Sequence, residues 1–193
     1  MKLTTAVAIL ALLAGCAHRK PAPSVPPAAP EPHAAEILAP APHRGGPAAL
    51  YPDPDRTPGV ANPAVTQANI HQTICRAHWT ETIRPPVSYT NGLKRQQMQE
   101  YGDTISDPHV QCMSHSANAR CYEEDHFISL ELGGDPRDPK NLWPEPYNPT
   151  PGARQKDWVE TFLKRQVCNG AMTLQDAQRA IATDWFAIYQ AHH

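Results

Sequence analysis

Basic charge is scarce in this chain. Lys and Arg number 17 against 19 Asp and Glu, a formal net charge of −2, and between residues 61 and 193 the count is 12 against 15. That balance excludes a protein that grips nucleic acid through a broad cationic face alone, because such binding rests on many Lys and Arg neutralising phosphates. Contact with a polyanion has to come from a local patch or from metal ions. Long apolar runs are also lacking. The stretch Ala6 to Ala14 is too short for the roughly 20 residues that a membrane-crossing helix needs. No C-x-x-C pair occurs among the five cysteines, which weighs against a zinc knuckle.

What is abundant is proline. Of 22 prolines, twelve fall between residues 17 and 60, in runs such as Pro21-Ala22-Pro23 and Pro26-Pro27. No helical or alternating apolar period survives there, and proline removes backbone donors while favouring extended chain. Residues 17–60 read as a stiff, disordered spacer, and residues 61–193 as the folded domain.

The first sixteen residues read as an export address. Lys2 gives a positive start, the short apolar stretch follows, and Leu13-Ala14-Gly15-Cys16 closes it. This tetrapeptide resembles the bacterial lipobox. The resemblance implies a signal peptide over 1–16, diacylglycerol on the Cys16 sulfur and a stable membrane anchor of several acyl chains. The expected location is the cell envelope, with the outer membrane favoured because Ala17, and no aspartate, follows the cysteine.

Export alters the reading of Cys75, Cys112, Cys121 and Cys168. They are even in number and meet an oxidising compartment, so two disulfides are expected. Four cysteines allow three pairings. Cys112 and Cys121 bracket a short polar loop, which makes Cys112–Cys121 the natural local bridge and leaves Cys75–Cys168. The alternative is a zinc site from Cys112, His115, Cys121 and His109.

Local patterns map the rest. Asn62-Pro63 suggests a short helical turn, Ile70 to Trp79 reads as extended, and Thr90 reads as the N-cap of a helix through Tyr101, closed by Gly102. Residues 103–120 are polar and turn-rich. Cys121 to Leu132 reads as a strand entering a Gly133-Gly134 turn, and Asn141-Leu142-Trp143 as the return strand, ended by Pro144 and Pro146. Thr150-Pro151 is the expected opening of a helix running to Asn169-Gly170, with Trp158 and Phe162 on its apolar face alongside Val159, Leu163 and Val167. Thr173 and Asp176 form a capping box for a last helix that buries Leu174, Ala177, Ile181, Trp185 and Ile188.

The segment Tyr122-Glu123-Glu124-Asp125-His126, then Ile128, Leu130, Leu132-Gly133-Gly134 and Asn141-Leu142-Trp143-Pro144, resembles HNH endonucleases. Their pattern is an Asp-His pair, an apolar strand, a Gly-Gly loop and an Asn-Leu pair. The chain is also similar to a secreted group with Asp-His-(Leu/Phe)-Ile-Ser-Leu-Glu-Leu-Gly-Gly and Asn-Leu-Trp-Pro. That match runs from about Thr73 to the C-terminus and includes Arg84-Pro85, Lys156-Asp157 and Val167-Cys168.

The resemblance implies an α+β fold with a ββα-metal (HNH) core and flanking helices, to which the cysteines would add two disulfides. It implies a metal-dependent endonuclease acting on DNA or RNA, held in the envelope as a lipoprotein. His126 would be the general base and Asn141 the brace of the catalytic loop. Asp125 would hold a divalent cation, magnesium first, manganese or zinc otherwise. HNH enzymes place a further His or Asn ligand on the helix, and here Gly152-Ala153 stands near that point. Asp157, Asn148 or a water molecule would then take that place. Arg154 and Lys156, at the helix start, would steady the substrate phosphate. Two other readings remain: a non-catalytic envelope lipoprotein that uses the scaffold for binding, and an interbacterial nuclease toxin.

Overall fold

In the computed structural model of the chain, residues 50–101, 122–147 and 151–193 are described. The expectations for Cys16, residues 17–49, Gly102, Cys112, Cys121, Asn148 and Thr150 lie outside the described residues. The fold is mixed: a two-stranded antiparallel sheet with four helices, α1 (Trp79–Ile83), α2 (Val87–Tyr101), α3 (Ala153–Cys168) and α4 (Leu174–His192). Strand β1 (Tyr122–His126) pairs with β2 (Leu142–Pro146), with Asp125 opposite Trp143 and His126 opposite Leu142. Among the described residues, no helix is long and apolar enough to cross a membrane.

The packed chain begins earlier than residue 61. Leu50, Tyr51, Thr57 and Val60 are buried, so the end of the proline-rich stretch belongs to the body. The Trp185 indole donates to the Leu50 carbonyl at 3.0 Å, and the Tyr51 hydroxyl donates to Asp184 at 2.5 Å. Asp184 itself leaves helical geometry (φ −162°, ψ 78°) and caps the resumed helix by accepting from the Ala187 N–H. Tyr51 therefore docks where α4 kinks.

Residues 70–79 are not extended. The Cys75 N–H reaches the Ile70 carbonyl at 2.9 Å in a series of tight turns. Ile70 and Ile74 are both buried, and their spacing of four puts them on one side of a helical turn. Helix α2 opens three residues before Thr90, directly after Pro86, and the Thr90 hydroxyl bonds back to the Val87 carbonyl. Its buried row of Lys94, Gln97 and Tyr101 packs on the hairpin. Lys94 donates to the Tyr122 carbonyl, Gln97 to the Pro139 carbonyl, and the Tyr101 ring lies 6.3 Å from Trp143.

The first strand is shorter than the sequence suggests and the second longer. β1 stops at His126, and Leu130–Leu132 form a 3₁₀ turn. The cause is Asn141, whose side-chain amide takes both backbone groups of Ile128 and removes them from any ladder. β2 continues through Pro144 and Pro146. A two-stranded sheet consists only of edges, where a missing N–H is tolerated. Gly134 is required by space: a Cβ there would lie 1.7 Å from the Ile128 carbonyl oxygen.

α3 opens at Gly152, whose N–H is capped by the Gln155 side chain. It buries Lys156, Val159, Glu160, Leu163 and Val167, so Trp158 and Phe162 are displaced to the half-buried margin, where their rings stack at 5.3 Å. Thr173 caps α4 as expected by accepting from the Asp176 N–H at 3.1 Å. Leu174, Ala177, Ile181 and Trp185 are buried, while Ile188 is only partly so.

Cys75 and Cys168 are joined, their Cα atoms 5.6 Å apart and 93 residues apart in sequence. The bridge ties the turns before α1 to the end of α3. Its reduction is expected to destabilise the domain by about 2–5 kcal/mol, because it closes a long loop in the unfolded chain. Denaturant midpoints with and without reductant measure this, and identical midpoints would contradict it.

Candidate active site

The end of β1, the 3₁₀ turn after it and the outer side of α3 enclose a cleft of about 170 Å³, with Thr80 and Arg84 on its rim. Asp125, His126, Ser129, Glu131, Asp157 and Glu160 supply its polar lining. Residues from positions 80 to 161 thus meet in one place, and Asp125, His126 and Asp157, predicted as a set, are brought together.

His126 is 3% exposed. Its Nε2 lies 3.1 Å from the Pro136 carbonyl oxygen. A carbonyl only accepts, so Nε2 carries the proton and the neutral ring keeps its lone pair on Nδ1. Burial lowers the imidazole pKa below its ordinary 6.5, against the pull of Asp125 and of the Pro136 hydrogen bond. The ring is therefore neutral, and able to accept a proton, at physiological pH.

Asn141 does not reach the cleft. It is fully buried, and its amide makes four backbone contacts. Oδ1 accepts from the N–H groups of Ile128 (2.9 Å) and Val60 (3.3 Å), and Nδ2 donates to the carbonyls of Ile128 (3.0 Å) and Asp135 (2.9 Å). It fastens the chain just after β1 to the backbone at Val60 and Asp135, and its role is to position rather than to react.

Lys156 overturns an expectation. It is 1% exposed, and its three ammonium protons go to Asp125 Oδ2 (2.5 Å), Glu160 Oε1 (2.6 Å) and the His126 carbonyl (3.0 Å). No donor is left for a substrate phosphate. Arg154 is exposed on the first turn of α3 and does not line the cleft. The cation that does face it is Arg84. The sequence carries a signal for its backbone in the following Pro85, which forces the preceding residue out of helical geometry and ends α1 there (φ −57°, ψ 129°).

The carboxylates around this lysine differ in state. Burial would raise Asp125, but the ammonium beside it prevails and holds its carboxyl down to about 2. Burial pushes Glu160 up to about 7 and Glu145 well above the usual range, Lys156 opposing in both. Glu145 is 2% exposed, lies 3.4 Å from the ammonium and accepts no hydrogen bond, so it is the protonated member. Asp157, exposed at the lip of the cleft, is raised by partial burial and by Asp125.

Glu124, also on β1, has both carboxyl oxygens buried without a hydrogen bond. Burial lifts it from 4.5 to about 8, with Lys94 only partly opposing. A raised carboxyl binds its proton more tightly in the folded state, so this contribution to stability is present below pH 4.5 and lost as pH rises through 8. Glu124→Gln is expected to raise the melting temperature at pH 8.5 and to leave it unchanged at pH 4. Equal effects at the two pH values would count against this.

No family model, no curated protein and no solved structure matches the chain.

Proposed function

We propose that the protein is a metal-dependent endonuclease of the HNH type, its β1–loop–β2–α3 unit serving as the ββα core, anchored in the cell envelope through lipidated Cys16. The observation that carries this reading is the placement of His126: an imidazole at the end of a strand, its Nε2 3.1 Å from the Pro136 carbonyl oxygen, lining a cleft beside Asp125. Phosphodiester hydrolysis needs a base to take a proton from water, a cation to neutralise the phosphate, and an anchor for the substrate. In this reading His126 Nδ1 is the base and Arg84 the anchor.

A divalent ion fits the donors in one specific way. Asp125 and Asp157 both line the cleft and their charges oppose each other, a repulsion that a hard cation between them would relieve. Among the described residues there is no group of three or more His, Cys, Asp or Glu around a common metal position. Two carboxylates completed by water and substrate oxygens suit magnesium, which keeps several waters when bound. When bound, such an ion would stabilise charge on the phosphate and the leaving oxygen. It would also add positive charge to a cleft lined by four carboxyl groups, where Lys156 pairs with Asp125 and Glu160 and Lys164 with Glu131.

The test is nicking of supercoiled plasmid, and cleavage of single-stranded RNA, by purified residues 17–193. Cleavage is expected with magnesium or manganese and is expected to stop with chelator. No cleavage of either substrate with any divalent ion would leave the binding scaffold as the better reading.

A further inference from the structure

We propose that Lys156 is the positioning residue of this site: its ammonium is a built-in cation that joins the end of β1 to α3 and so sets the spacing of His126 and Asp125 from Asp157. The kinetic part of this inference rests on the nuclease reading above; the geometric part does not.

Three features carry it. The ammonium is saturated, with each proton given to a different group: a strand carboxylate (Asp125), a helix carboxylate (Glu160) and the backbone carbonyl of His126 itself. Two of those acceptors are the residues that face the cleft from β1, and the third lines it from α3. The link then extends outward, because Glu160 Oε2 accepts from the Ser129 hydroxyl at 2.7 Å and Ser129 Oγ accepts from the Glu131 N–H at 3.1 Å. Lys156 therefore holds strand, 3₁₀ turn and helix at one point, and Asp157, its neighbour in sequence, is carried along on the same helix turn. A salt bridge kept only for stability has no need to include the carbonyl of the base, and a buried pair is often replaceable by apolar side chains with no loss of stability.

The experiment compares the parent with Lys156→Met and with Lys156→Met/Glu160→Gln, the second of which removes the carboxylate left unpaired on α3. Two signals are read besides melting temperature: kcat and KM for nicking, and the NMR resonance of the His126 Nε2 proton, which its bond to the Pro136 carbonyl protects from exchange. The double variant is expected to stay folded, to lose about 10²-fold in kcat with KM unchanged, as misplacement of reacting groups by about an ångström does, and to lose or broaden the His126 proton signal. Retention of that signal and of kcat in a folded variant would overturn the proposal. Unfolding of both variants would also overturn it, by making Lys156 a residue of the fold alone. If the parent cleaves nothing, the nuclease reading fails, and the His126 proton signal still decides the role of Lys156.

Discussion

His126→Ala is expected to reduce nicking by about 10²–10⁴-fold, the usual worth of a positioned general base, while the domain stays folded. The buried ring gives the fold one hydrogen bond, to the Pro136 carbonyl, and its removal, which also leaves a cavity, should cost about 2–3 kcal/mol of stability. The asymmetry between the two losses is the point of the test. No other imidazole among the described residues lines the cleft, so nothing nearby can take over the proton. The pH profile gives a second reading with a fixed sign. Burial lowers the imidazole pKa below 6.5, so activity should be level above pH 6.5 and decline only as pH falls below it. A variant that cuts like the parent, or a parent whose activity falls away as pH drops from 8 to 7, would remove His126 as the base.

Parts of this site were legible in the sequence because their physics is local or their spacing is rigid. Asp125 and His126 are adjacent, and a strand end fixes their relation. Asn141 could be read as a brace only through the resemblance of the Asp-His, Gly-Gly and Asn-Leu pattern to HNH endonucleases. The misreadings have a common origin in burial. A lysine at the start of a helix is normally solvated; Glu160, four residues on, is a local partner, but nothing local reveals that Asp125 and Glu145 converge on it from the two strands. Arg84 escaped because its relation to His126 depends on where α1 lies, across more than forty residues of chain. Leu50, Tyr51 and Val60 were hidden by proline composition, although Tyr51 and Leu50 fill the space beside Trp185. Trp158 and Phe162 illustrate the reverse case. Their spacing suited the core, yet the row with Lys156 and Glu160 is buried instead, where Lys156 meets Asp125 and Glu160 meets Ser129.

The second large effect concerns stability. Asn141→Ala is expected to cost about 4–5 kcal/mol, near the upper end for a single substitution and a large share of the roughly 5–15 kcal/mol that holds a domain folded. The amide is fully buried and serves two N–H groups and two carbonyls. Deleting it leaves up to four backbone groups without partners, each costing about 1–3 kcal/mol where water cannot enter. Some relaxation will recover part of that sum, which is why the expected loss is below it. Asn141→Asp separates a specific brace from a general need for polarity. Aspartate keeps the acceptors for the Ile128 and Val60 N–H groups but turns an oxygen toward the Ile128 and Asp135 carbonyls, and buries a charge in a fully enclosed position. It should therefore be at least as damaging as alanine. Urea unfolding of the parent and both variants, with nicking rates at a temperature where each is folded, measures the two consequences separately. If Asn141→Ala melts with the parent and still cuts, the loop between the strands is held by something other than this amide. If it melts with the parent and does not cut, Asn141 belongs with the reacting groups rather than behind them.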